Sequence, residues 1–158
     1  MRTTMRCCGS WPDPMIDKSL VCTKLAQLRE RQGTLKQLAA ESRDSFLADP
    51  VKRGAAERLL QVSIEICLDV GHHLIAELGL SRPTEYRDVF HILGGQGLIT
   101  SEFAARLEKM AGFRNRLVHV YAEVDPQVVY DYLQHDRADS DEFGRVIAAT
   151  VKRFVGSQ

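Results

Sequence analysis

Apolar residues recur every three or four positions along most of the chain after residue 15, which is the period of an amphipathic α-helix. The first such stripe starts at Ile16 and predicts a helix that Gly33 ends, followed by a short polar connection over 42–45. Asp49-Pro50 then resembles a helix start, with aspartate as the N-cap and proline at the first helical position. The next stripe predicts a long central core helix up to Gly79 and contains Leu59, Val62, Ile66, Val70, Leu74 and Leu78.

Three further segments carry the same period. A short third helix is predicted after Pro83, and a fourth is predicted to begin at Ser101 as its N-cap and to extend through Tyr121. A fifth begins at Asp125 and is expected to break at the polar stretch 136–142, which is interpreted as an exposed connection. No repeat, useful strand-like alternation or glycine-rich phosphate loop is found. The pattern therefore predicts an all-α, up-and-down bundle of about five helices.

The chain length indicates one domain. A chain of 158 residues is long enough for one hydrophobic core and short for two. Residues 1–14, MRTTMRCCGSWPDP, contain two prolines and a glycine and show no helical period, so they are expected to form a disordered or loosely ordered leader. The helical domain is assigned to 15–158, and translation could begin at Met15.

The charge balance and the cysteine content limit the classes of function that the chain can have. Lysine plus arginine and aspartate plus glutamate both number 21, so the net charge of +0 gives no global attraction for nucleic acid, and RNA contact requires a local patch. Cys7, Cys8, Cys22 and Cys67 lack the spacing of a disulfide framework or a metal site, and Cys22 and Cys67 are expected to be small core residues. We predict no metal and no cofactor. Without a signal peptide or an uninterrupted apolar span, a cytoplasmic protein that does not contact the membrane is expected.

The segment RNRLVHVYAEVD holds the candidate chemistry. An arginine can bind phosphate oxygens in a bidentate manner, and a histidine titrates near neutral pH, so Arg114 and His119 suit phosphodiester cleavage without a metal. The 2′-hydroxyl of RNA would attack the adjacent phosphorus, which leaves a cyclic phosphate and a free 5′-hydroxyl. The alternative is an ordinary basic stretch on a solvated helix, with Tyr121 as a core residue.

Helix geometry constrains this pair. At roughly 100° per residue, His119 would point about 140° away from Arg114 on a straight helix. Asn115 lies four residues before His119 and shares its side better. We therefore hypothesise a composite site in a dimer, with Asn115 and His119 from one chain and Arg114 from another.

Arg114, His119 and Tyr121 also match a family motif. Together they resemble the Rx4HxY motif of HepT-type proteins in the HEPN class, in which Asn115 follows the arginine. The stretch LDVGHHLIAELGLSRPTEYRDVFHILGGQGLI resembles the second and third helices of that family, and the resemblance covers Ile16 to Phe154. It implies a dimer with the motif at the subunit cleft and a toxin that cleaves RNA as an endoribonuclease.

The resemblance also implies a partner and two further residue roles. In HepT-type systems an MntA-like nucleotidyltransferase antitoxin binds the toxin, in a higher hetero-oligomer, and transfers AMP from ATP to the motif tyrosine, here Tyr121. A bulky anion beside Arg114 would then compete with RNA phosphate. Asp69 is expected to support the cleft or to orient His73, as an acid of the second helix does in relatives; otherwise it is a surface acid. The alternative function is a catalytically silent binding or scaffold subunit of a nucleotidyltransferase complex.

Overall fold

The computed structural model describes residues 16–119 and 124–155, and these residues form seven α-helices without a strand. The predicted leader 1–14 and Tyr121 lie outside the described residues. The all-α bundle is confirmed, with two more helices than expected. The helices are α1 (Lys18–Ala39), α2 (Arg43–Ala48), α3 (Pro50–Glu77), α4 (Tyr86–Gly95), α5 (Ser101–Val118), α6 (Pro126–His135) and α7 (Ala138–Val155).

Helix α3 has the central position, because it contacts each of the other six helices. Its 28 residues are long and apolar enough to span a bilayer by length and composition alone. A buried core helix meets the same criterion, and the apolar residues of α3 pack against α1, α4 and α5. This confirms the prediction of a central core helix.

The two Asp-Pro starts are confirmed. The Asp49 carboxylate accepts hydrogen bonds from the backbone N–H groups of Val51 (2.9 Å) and Lys52 (3.3 Å), and Pro50 is the first residue of α3. Asp125 caps α6 in the same way by accepting from the Gln127 N–H at 2.9 Å. Both starts were predictable because the capping side chain and the proline act within a single turn.

Several predicted helix ends are wrong. Helix α1 continues through Gly33 to Ala39, because Leu35 is fully buried and extends the apolar face beyond the glycine. The polar connection over 42–45 instead includes the start of α2, where the Ser42 hydroxyl accepts from the Ser45 N–H at 3.2 Å. The N-cap of α5 is Thr100, which accepts from the Phe103 N–H at 3.2 Å, and Ser101 is already helical.

The polar stretch 136–142 does break the fifth helix, as predicted, but it is not an exposed connection. Helix α7 starts within it at Ala138, and Asp139 and Asp141 occupy the first turn, where negative charge is favourable. Ser140 is buried, and its hydroxyl accepts a 2.6 Å hydrogen bond from the Gln32 side chain of α1. Polar composition therefore concealed a helix start that is fixed by contact with α1.

The two cysteines within the described residues differ. Cys67 is buried in the core as predicted, and burial raises the pKa of its thiol. Cys22 is exposed, so its assignment to the core is wrong. It follows the buried Val21 by one residue, and a rotation of roughly 100° turns it away from the core.

Gly71 allows α4 to approach α3 closely. A Cβ atom at Gly71 would lie 2.4 Å from Cγ1 of Val89 in α4, which is shorter than any van der Waals contact. Val89 itself is completely buried. The glycine therefore fixes the distance between α3 and the helix that begins with Tyr86.

Candidate active site

An open cleft with a volume of about 700 Å³ lies where α3, the start of α4 and the end of α5 meet. Arg114 and Asn115 reach it from the last turns of α5, and His119 reaches it from the residue just after that helix. His72 contributes from α3 and Tyr86 from α4. The structure thus brings three of the predicted site residues together in one chain.

Arg114 is held firmly in this cleft. Its side chain is only 17% exposed, and Nη2 donates a 3.0 Å hydrogen bond to Oε1 of Glu65. Its guanidinium carbon lies 4.8 Å from the centre of the Tyr86 ring, which is within the range of a cation–π interaction. The buried Nε has no hydrogen-bond partner among the described residues. A carboxylate and an aromatic ring therefore fix the guanidinium, and its buried Nε is left without a partner among the described residues.

Glu65 is a residue that sequence reasoning missed. The same Oε1 atom that accepts from Arg114 also accepts a 3.0 Å hydrogen bond from Nε2 of Gln61, one helical turn earlier on α3. Glu65 lies within the most apolar part of α3 and one turn before Asp69. An acid inside an apolar stripe was the available signal, but its partner is 49 residues away in sequence.

His119 does not continue the helix. Helix α5 ends at Val118, and His119 is its C-cap with φ −69° and ψ 103°, in the extended region. Its N–H donates to the Asn115 carbonyl at 3.3 Å. The fourth helix was predicted to extend through Tyr121, and this is wrong. The angle of about 140° between Arg114 and His119 assumed that helix. The chain instead leaves the helical path, and the exposed imidazole lines the same cleft as Arg114.

Helix geometry therefore no longer requires Arg114 to come from a second chain. A dimer remains a prediction.

Asp69 is not brought into the cleft. Its carboxylate pairs with the Lys24 ammonium of α1 at 2.9 Å and is more than half exposed. It makes no hydrogen bond with His73, whose buried Nε2 has no partner among the described residues. Within the described part of the chain, no group of three or more His, Cys, Asp or Glu residues could hold a metal ion.

The arrangement suits an anionic ligand. Arg114 offers a fixed positive charge, and His119 offers an exposed imidazole that lines the same cleft. The cleft also has apolar walls, since Tyr86 and Val118 are 43% and 36% exposed. A phosphate with an attached planar group would match both properties.

Comparisons with known proteins identify the family of this chain. Residues 24–147 match the family model described as Ribonuclease HepT-like. The mRNA nuclease HepT of Shewanella oneidensis is 29% identical over 130 residues, which cover 82% of this chain and 97% of that protein. The tRNA nuclease HepT of Aphanizomenon flos-aquae is 29% identical over 115 residues, covering 73% of this chain and 78% of that protein.

A solved structure is similar as well. The tri-AMPylated HEPN toxin of Shewanella oneidensis, in complex with its MNT antitoxin, superposes with a TM-score of 0.76 at 29% identity. The match covers 82% of this chain and 97% of that toxin. The family model spans well over half of the chain, and the cleft contains the arginine, asparagine and histidine of the motif. The chain therefore belongs to the HepT-like ribonuclease family.

Proposed function

We propose that this protein is an endoribonuclease toxin that cleaves single-stranded RNA without a metal ion. One observation carries the proposal: Arg114, Asn115 and His119 line a single open cleft in a member of the HepT-like ribonuclease family. The relatives named mRNA nuclease and tRNA nuclease support RNA as the substrate class. The cytoplasm, where such RNAs are found, is the proposed location.

In the proposed reaction, the 2′-oxygen of one nucleotide attacks the adjacent phosphorus. Neutral His119 accepts the 2′-hydroxyl proton as the new P–O bond forms. Arg114 donates hydrogen bonds to the phosphorane oxygens as their negative charge grows. The bond from phosphorus to the 5′-oxygen then breaks, the leaving oxygen takes up a proton from water, and His119 returns its proton to solvent. The products are a 2′,3′-cyclic phosphate and a 5′-hydroxyl.

Glu65 has a positioning role in this mechanism. Its hydrogen bond keeps one guanidinium nitrogen of Arg114 in place, and the buried Nε has no other partner among the described residues. A phosphate that enters the cleft therefore meets a guanidinium whose orientation is already set. Asn115 lies beside Arg114 in the cleft and is proposed to orient the substrate through its side-chain amide.

The test is a cleavage assay in EDTA with a short single-stranded RNA and the His119→Ala protein. We expect the wild type to produce cyclic-phosphate ends and His119→Ala to lose activity by about 100-fold or more. His135→Ala is the matched control, because His135 is an exposed histidine outside the cleft. Equal cleavage by wild type and His119→Ala would contradict the proposal. Absence of cleavage by the wild type, with unmodified Tyr121, would favour the catalytically silent scaffold subunit.

We further propose that an MntA-like nucleotidyltransferase silences this toxin. The related toxin structures contain an MNT antitoxin and an AMPylated toxin. In the proposed step, the phenol oxygen of Tyr121 attacks the α-phosphorus of ATP, and pyrophosphate leaves. The AMP group would lie two residues from His119 and would compete with RNA phosphate for Arg114.

Coexpression with the nucleotidyltransferase tests this step. Mass spectrometry should find AMP on the peptide that contains Tyr121, and Tyr121→Phe should abolish that adduct. Tyr130→Phe is a matched control, since Tyr130 does not line the cleft and its hydroxyl donates to the Glu41 carbonyl at 3.1 Å. An adduct that persists in Tyr121→Phe would place the acceptor elsewhere. Sedimentation of the unmodified protein tests the proposed dimer.

A further inference from the structure

Tyr86 forms a ridge between two open cavities. On one side is the cleft of Arg114 and His119, and on the other is a second cavity of about 430 Å³ between α4 and α5. Tyr86 and Asn115 line both cavities. Glu85 lines both as well, so the two cavities are neighbours separated by these side chains, and a ligand that extends past Tyr86 would meet the second one.

The chemistry of the second cavity fits the continuation of a polyanion with attached planar groups. Arg87 and Lys109 bring positive charge to its wall, while Ala111 and Gly112 leave its floor without polar side chains. Glu85 and Glu108 also line it, and Glu85 pairs with Arg87 at 3.1 Å, so the charges balance and the cavity is a weak phosphate site by itself. RNA that reaches the second cavity must therefore gain its affinity from a contact other than charge.

The exposed ring of Tyr86 can provide this contact. Its side chain is a large aromatic group that is 43% exposed, whereas the other aromatic ring of α4 that packs inward, Phe90, is fully buried. The Arg114 guanidinium occupies the space over the ring at 4.8 Å, and the exposed part of the ring remains open. Aromatic side chains next to phosphate-binding arginines are platforms for unpaired bases, because every base has a π-face that stacks.

We propose that Tyr86 is the base-stacking platform that holds an unpaired nucleotide of the RNA next to the scissile phosphate. The inference rests on the proposed ribonuclease function and adds a specificity determinant to it. A base inside a duplex is already stacked and cannot occupy the platform, so Tyr86 selects single-stranded RNA. The backbone then continues into the second cavity towards Lys109.

A thermodynamic cycle tests the platform directly. The probe is a short single-stranded RNA that the wild type cuts once, made with a 2′-O-methyl group at the attacking nucleotide so that only binding is measured. A series of these RNAs carries one abasic nucleotide at each position around the cut. Binding to wild type, Tyr86→Phe and Tyr86→Leu is compared, with Val51→Ala as a control for loss of another exposed apolar side chain far from the cleft.

We expect one abasic position beside the cut to weaken binding to the wild type and to Tyr86→Phe by about tenfold. Tyr86→Leu should bind the intact RNA about tenfold more weakly and should be insensitive to that same abasic position. Val51→Ala should match the wild type throughout.

Three outcomes would overturn the inference. A Tyr86→Leu protein that stays as sensitive to every abasic position as the wild type would show that Tyr86 only holds Arg114. A changed sedimentation coefficient in Tyr86→Leu would assign the ring to a subunit interface. Failure of the wild type to cut the same RNA with an ordinary 2′-hydroxyl would reject the ribonuclease function itself. If the wild type cuts this RNA but no abasic position depends on Tyr86, only the stacking platform is rejected.

Discussion

At the scale of single residues, Arg114 is largely buried and yet lines the cleft in which phosphate is proposed to bind. Its guanidinium satisfies Glu65 with one nitrogen and lies against Tyr86, yet Nε has no partner among the described residues. A planar guanidinium holds its donors in a fixed fork and can also stack on a ring, whereas the donors of a lysine ammonium have no fixed plane. The residue type therefore matters as much as its charge.

This leads to the first prediction, on Arg114→Lys. We expect cleavage of single-stranded RNA to fall by at least about tenfold, because the ammonium cannot contact Glu65, Tyr86 and a phosphate together. Arg145→Lys is the matched control, since Arg145 is 71% exposed on α7. Initial rates at saturating and at low RNA concentration separate kcat from KM. Full activity of Arg114→Lys would show that only the positive charge is used.

At the scale of helices, the contact between α3 and α4 sets the shape of the cleft. Gly71 has no room for a side chain against Val89, and α4 starts with Tyr86. By contrast, a Cβ atom at Gly54 on the same helix meets nothing within 4 Å. The two glycines thus provide a comparison within one helix.

The second prediction uses that comparison. We expect Gly71→Ala to destabilise the protein by about 1–3 kcal/mol, because the methyl group forces Val89 and α4 away from α3. Gly54→Ala should instead stabilise it by up to about 1 kcal/mol through helix propensity. Urea unfolding measures both changes. The Gly71→Ala, Val89→Ala double variant should recover part of the loss, and a loss that is simply additive would exclude this steric cause.

The start of α4 gives a third prediction, which concerns pH. Asp88 accepts hydrogen bonds from the Thr84 hydroxyl at 2.7 Å and from the backbone N–H groups of Thr84 (3.1 Å) and Glu85 (2.9 Å). The Thr84 hydroxyl contributes most, and these bonds hold the pKa of Asp88 below its usual value of 3.8. A lowered folded-state pKa means that the carboxylate stabilises the fold above 3.8 and that this contribution is lost as the pH falls through the lower value.

We therefore expect Asp88→Asn to be less stable than wild type at neutral pH and the difference to shrink in acid below that range. Urea midpoints across an acid titration provide the measurement. A constant difference between Asp88→Asn and wild type at all pH values would mean that charge is not involved.

The helices also show which signals the sequence contains. The starts at Asp49 and Asp125 were predictable because a cap and a proline act locally. The passage of α1 through Gly33 depends on the burial of Leu35, and the start of α7 depends on the Gln32–Ser140 bond between distant helices. Leu35 does continue the period of Val21 and Leu28, so the first error came from treating Gly33 as a stop; the Gln32–Ser140 bond leaves no local signal, so the second could not be predicted.

In the candidate site, too, local features could be predicted from the sequence and long-range contacts could not. The motif positions Arg114, Asn115 and His119 could be selected from the sequence because their spacing is local. The contact of Glu65 with Arg114 connects two helices and could not be predicted. Neither could the end of α5 at Val118, because no glycine or proline follows directly to mark it. Tertiary packing decided both features.

At the scale of the whole molecule, the balance of charge limits how RNA is captured. Lysine plus arginine and aspartate plus glutamate are equal in number, so the protein exerts little long-range attraction on a polyanion. Near the cleft, Glu65 and Glu108 offset part of the positive charge of Arg114 and Lys109. Binding must therefore depend on short-range contacts.

The fourth prediction follows from this balance. We expect the logarithm of RNA affinity to fall with the logarithm of salt concentration with a slope of no more than about 2, because only a few phosphates are neutralised. The 2′-O-methyl RNA that resists cleavage allows this measurement by fluorescence anisotropy. A much steeper slope would reveal an extensive basic surface, such as one formed by joining subunits.

The ion pair between Glu65 and Arg114 affects how strongly small anions of the cell can bind to Arg114. A cell contains abundant free phosphate and mononucleotides, and each could occupy an exposed arginine. Here any such anion competes with a carboxylate that is attached to the protein and already 3.0 Å from Nη2. Inorganic phosphate should thus inhibit the wild type more weakly than Glu65→Gln, and equal inhibition would argue against this discrimination. An RNA chain makes further contacts with the protein and so gains enough binding free energy to displace Glu65. The Glu65 carboxylate thus protects the toxin from inhibition by small phosphates.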